Sequence, residues 1–106
     1  MPLENQAQLA QQLLALTEEM LQLARAKDWP TLAEREQRRQ QLARELFAQP
    51  VPKEHAPTVV DCVRRVLDID QELLMLVEQG RDEAARQMRD VRAGQKATDA
   101  YRRFSR

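Results

Sequence analysis

Two side chains in this chain of 106 residues carry chemistry of their own: Cys62, its only cysteine, and His55, its only histidine. A catalytic or metal-binding thiol works as the thiolate and needs a base or a cationic setting. Cys62 instead lies among Val59, Val63 and Val66, the surroundings of a core thiol. His55 stands in QPVPKEHAP with no second histidine or cysteine to complete a metal set, and with no nucleophile or base beside it. A lone cysteine forms no intramolecular disulfide, which suggests a reducing, cytoplasmic setting. The remaining candidates make contacts rather than bonds. The stretch RAGQKATDAYRRFSR holds two of the four aromatic residues, and Ala97, Ala100, Tyr101 and Phe104 fall at the spacing of one helical face.

A chain of this length provides one domain with a small core. Charged residues make up 32% and aromatic residues 4%, and Gln, Leu, Ala, Glu and Arg dominate, the composition of amphipathic helices packed side by side. No strands are expected. Seventeen basic and seventeen acidic residues cancel, which argues against a dedicated nucleic-acid binder. The balance is uneven. Residues 1–80 hold nine Lys/Arg against thirteen Asp/Glu, a balance of −4, and residues 81–106 hold eight against four, a balance of +4. The start, MPLENQAQ, lacks a basic segment followed by an apolar run, and no stretch approaches bilayer-spanning length. A soluble, unexported protein with no membrane insertion is expected.

The elements follow from periodicity and breaks. Leu9, Leu13, Leu16, Met20 and Leu23 recur at steps of four and three, with Leu14 and Leu21 on a shoulder, predicting a first helix over about 4–27 that touches two partners. Asp28-Trp29-Pro30-Thr31 breaks it, since Pro30 suits the first turn of a new helix. The second helix spans about 30–48. Its sparse stripe, Leu32, Leu42, Leu46 and Phe47, is separated by EREQRRQQ, charges expected to be solvated. Three prolines in residues 49–57 predict an extended link. The third helix spans about 57–93 on the stripe Val59, Cys62, Val66, Ile69, Leu73, Leu76, Gly80, Ala84, Met88 and Val91. At 1.5 Å per residue it should reach about 50 Å against about 35 and 28 Å for the others, so its far end should overhang them. Gly94 is then placed to end it in a left-handed turn, with a short helix over 96–104 folding Tyr101 and Phe104 back over the overhang. Such a helix is too short to be stable alone, so the cover is a latch. Alternatively the same face docks a partner directly, rimmed by Arg102, Arg103 and Arg106. The expected fold is all-α: an antiparallel bundle of three helices, the third longest, plus a short C-terminal fourth helix, forming one domain over 1–106.

This order of elements, with Trp29 and Leu32 after the first helix, Asp70, Leu73, Leu74 and Arg81 within VLDIDQELLMLVEQGRDEAARQMRDVRAG, and the ending Gly94, Lys96, Ala97, Ala100 and Tyr101, resembles the FliT-type flagellar export chaperones over nearly the whole chain. The resemblance implies a cytoplasmic protein without catalysis, metal or cofactor. It implies a chaperone that keeps the filament-capping protein FliD soluble and delivers it to the flagellar type III export apparatus. Carried over, Leu73, Leu76, Val77, Ala84 and Met88 form the client-binding groove for the helical C-terminal segment of FliD, and Ala97, Tyr101 and Phe104 sit on a gating helix. Export ATPase, export gate and the FlhDC activator are further partners within that family. The polar middle of helix two and the RRFSR ending depart from its pattern. Two rival readings remain. One is a homodimeric helical adaptor or regulator, in which the overhang pairs with a second copy. The other is an enzyme, because VRRVLDIDQELLMLVEQGRDEAARQ also resembles the first helix of all-α chorismate mutases; here that helix comes last, leaving about 25 residues to complete such a site.

Overall fold

The computed structural model describes residues 5–104. They form three helices: α1 (Gln6–Arg25), α2 (Trp29–Phe47) and α3 (Ala56–Phe104). Each boundary has a local cause. Asn5 caps α1 with a capping box: its Oδ1 accepts from the Gln8 backbone N–H at 2.8 Å, while Gln8 Oε1 accepts from the Asn5 N–H at 3.1 Å. The expected start at residue 4 lies outside the described residues. At the other end the Asp28 N–H reaches back to the Leu23 carbonyl and the Lys27 N–H to that of Ala24. Lys27 takes the left-handed conformation that this closure requires, with φ 59°. Asp28 then caps α2 by accepting from the Thr31 N–H at 3.3 Å, and Pro30 occupies the first turn.

The proline-rich link is not simply extended. Residues 53–55 turn, the Ala56 N–H bonds the Pro52 carbonyl at 3.1 Å, and the Gln6 side-chain amide donates to the Pro50 carbonyl at 3.2 Å. Pro57 sits in the opening turn of α3, where a missing N–H removes no helical bond.

The chain divides into two units, Met1–Leu76 and Val77–Arg106. Within the first, Leu9, Ala10, Leu13 and Leu14 of α1, Leu42 and Leu46 of α2, and Val59, Cys62 and Val66 of α3 form one buried cluster, with Leu16, Val51, Val63 and Ile69 packed against it. Glu19 pairs with Arg35 at 2.8 Å and Gln6 bonds Pro50, so positions rise on α1 as they fall along α2 and its exit. Glu18 with Arg65 and Arg25 with Glu72 rise together, so this part of α3 runs in the sense of α1 and against α2. Met20, Leu21, Ala24, Leu32 and Leu73 are also buried. The centre of the buried face of α1 is a line the periodicity of large residues did not mark: Ala10, Thr17 and Ala24, at most 2% exposed and seven residues apart. Small side chains there allow close packing, and the Thr17 hydroxyl is satisfied by the Leu13 carbonyl at 2.8 Å.

Helix α2 corrects two expectations. Phe47 does not face inward; it is 62% exposed. The charges of its middle are not idle. Arg39, with only 17% of its side chain exposed, bonds both Glu36 and, on α3, Asp70, and Arg35 bonds Glu19 on α1. Leu32, Arg35, Arg39, Leu42 and Leu46 share one helical face, so ion pairs fill the inward positions between the leucines.

Val77–Arg106 is the remainder of α3 and contains no second element among its described residues. The expected break at Gly94 and the separate helix over 96–104 are absent: α3 runs unbroken for 49 residues, and no glycine has a positive φ. The sequence explains why. Residues 95–104 hold neither proline nor a run of β-branched residues, so nothing ends the helix once Gly94 adopts helical geometry. The Thr98 hydroxyl bonds the Gly94 carbonyl at 2.9 Å, a contact between successive helical turns.

Candidate binding surface on helix α3

The alternation of buried positions along α3, Val59, Cys62, Val66 and Leu73, continues in register as Val77, Gly80, Ala84, Met88 and Val91. Burial does not continue with it. Val77 is half-buried, Ala84 is exposed, and Met88 and Val91 are 55% and 62% exposed. From Arg81 to Phe104 every residue except Glu83 is exposed. The core pattern therefore becomes an open apolar strip, a feature that soluble proteins rarely leave in water unless something docks on it.

Of the residues the resemblance assigned to a client groove, Leu73 is buried within Met1–Leu76 and Leu76 is half-buried there. Leu73 holds the core rather than lining an open surface. Val77, Ala84 and Met88 lie in Val77–Arg106 and make up the strip with Val91, which the groove assignment left out although its spacing marks it. Ala97, Tyr101 and Phe104 line up with one another at steps of four and three, on a different face of α3 from the strip. All three are exposed, Tyr101 at 72% and Phe104 at 89%, so the rings cover nothing here.

A second apolar line was missed. Val60, Leu67 and Leu74 repeat every seven residues beside the buried face of α3 and are 48%, 57% and 59% exposed. Their regular spacing was the available signal; the adjacent core stripe, richer in apolar residues, obscured it. Val60 also lines a shallow recess with Lys53, Ala56, Pro57, Asp61 and Arg64.

Cys62 is placed as a structural group, within the buried cluster. Cys62 is buried, and burial, then the charge of Asp61, pushes its thiol above the ordinary range, while Arg65 opposes this. A raised value keeps it protonated and unreactive. Among the described residues no group of three or more His, Cys, Asp or Glu could hold a metal ion, and no helix is long and apolar enough to cross a membrane.

Val77–Arg106 thus presents an apolar strip on an exposed stretch of helix, and Met1–Leu76 holds a buried cluster drawn from three helices. The family model of the flagellar protein FliT matches residues 7–103, and the chain belongs to that family. Membership gives it the role of a flagellar export chaperone. Neither the curated proteins nor the solved structures yielded a match.

Proposed function

We propose that this chaperone acts in the cytoplasm and holds the helical C-terminal segment of the filament-capping protein FliD on the strip Val77, Ala84, Met88 and Val91. The observation that carries this reading is the exposure of a strip whose spacing continues that of the core. A helix bound there removes apolar area from water on both partners, worth about 25 cal/mol per Å² before ordering costs are subtracted. Leu73 and Leu76 serve as the anchor of α3 in the core. Handover to the export ATPase or export gate, and any contact with FlhDC, follows from release of this helix. The role requires no catalysis and no cofactor. Gating by Ala97, Tyr101 and Phe104 through a fold-back at Gly94 forms no part of this reading, because α3 is continuous there. Amide exchange on the full chain, with and without a synthetic FliD C-terminal peptide, tests it: protection should rise at residues 77–91. Protection confined to α1 and α2, or no change, contradicts it.

The exposed line Val60, Leu67 and Leu74 favours a second reading, a homodimer in its resting state, because heptad spacing suits helix pairing between copies. A mass constant at the monomer value across a dilution series contradicts that reading.

A further inference from the structure

The strip has two unlike shoulders. Each strip residue in its second half is followed by a cation: Met88 by Arg89 and Val91 by Arg92, with Lys96 and Arg103 continuing the same line at steps of four and seven. From Ala84 onward each strip residue is preceded by an acid or an amide: Ala84 by Glu83, Met88 by Gln87 and Val91 by Asp90. Asp99 stands on this line between Lys96 and Arg103, so the edge is basic from Arg89 to Lys96 and mixed beyond it. Arg25, Arg35, Arg39 and Arg65 in Met1–Leu76 are engaged by Glu72, Glu19, Glu36 with Asp70, and Glu18. Arg89, Arg92, Lys96 and Arg103 form no ion pair among the described residues.

We infer that the occupant of the strip is an amphipathic helix of a partner protein that carries carboxylates along one flank, seated so that this flank meets Arg89, Arg92 and Lys96. Opposite charges at the edge of an apolar contact set register and orientation and exclude wrong partners, even where each pair adds little energy. A second copy of this segment fits poorly, because residues 81–106 carry a balance of +4 and two copies would oppose each other. Nucleic acid fits poorly too, since Glu83 and Asp90 line the other shoulder and the apolar strip offers phosphates nothing. The inference rests on the strip being the client surface and adds the chemistry by which a client is selected.

The test uses the full chain and two fluorescent designed helices, identical in their apolar face, one with Glu and one with Lys along the flank. The Glu helix should bind about tenfold more tightly at low salt, with the preference shrinking as salt is raised. In the variant Arg89→Glu/Arg92→Glu/Lys96→Glu the preference should invert. If that variant loses helix content, Arg89→Gln/Arg92→Gln/Lys96→Gln replaces it and should abolish the preference. Equal binding of the two helices, or a preference unmoved by the variants, overturns the inference. So does a short DNA duplex that displaces the Glu helix, or a doubling of the chain's mass that blocks its binding. A FliD C-terminal peptide forms a separate arm. If it binds wild type and variants alike, the proposed function stands and the charge rule fails; if it does not bind while the Glu helix still discriminates, the charge rule stands for another client.

Discussion

Lys27 holds the left-handed conformation at the end of α1, a geometry that favours glycine because a Cβ there crowds the backbone. Lys27→Gly should therefore stabilise the chain by about 0.5–1 kcal/mol, after the lost lysine contact and the greater freedom of the unfolded chain are counted. Urea unfolding monitored by circular dichroism checks it, and a lower midpoint contradicts it. Cys62 gives a pH-dependent counterpart. Its folded thiol titrates above the ordinary value of 9.0, so above that pH the unfolded chain loses a proton that the folded chain keeps. Stability should fall as pH rises from that value towards the folded one, and Cys62→Ala should remove this part of the slope in denaturation series. Cys62 was legible as a core residue because its valine neighbours recur at helical spacing. Ala10, Thr17 and Ala24 were not legible, since an apolar pattern built on large residues overlooks small ones that allow close approach. Phe47 was misread for the opposite reason: its hydrophobicity suggested burial, while Leu46 beside it occupies the inward position.

Periodicity placed α1 and α2 within two residues of their described ends, helped by Asp28 as a cap and Pro30 in the first turn. It could not show that Arg35 and Arg39 continue the inward face of α2, because their partners Glu19 and Asp70 come from other helices. At the end of α3 the expected stop rested on Gly94 alone, and a glycine is compatible with either a cap or a continuing helix. Gly94→Ala separates the two. Apart from its chain neighbours and the nearby backbone of its own helix, nothing lies within 4 Å of a Cβ added at Gly94. In a continuous helix alanine is favoured by about 1 kcal/mol, which should slow local amide exchange around residues 90–98 by about fivefold. Faster exchange in that variant would indicate the left-handed turn.

The two units differ in how their helices are held. Met1–Leu76 has a buried cluster drawn from three helices, whereas the described part of Val77–Arg106 is a single, largely exposed helix. Brief trypsin treatment should cut first at Arg81–Arg103 and leave a persistent fragment containing the residues of the cluster, because access follows local opening. First cuts at Arg38 or Arg64, read by mass spectrometry, would contradict this. The strip itself was legible because one spacing runs from Val59 to Val91. From the length of α3 the strip was expected to lie under Tyr101 and Phe104; instead Met88 and Val91 are exposed, and the two rings lie on another face of the same helix. Fluorescence anisotropy of a FliD C-terminal peptide titrated with the full chain and with Met88→Glu tests most directly whether this strip receives the client. A charge at the centre of the strip should weaken binding by at least about tenfold while leaving helix content unchanged. Equal affinities for the two proteins would place the client elsewhere.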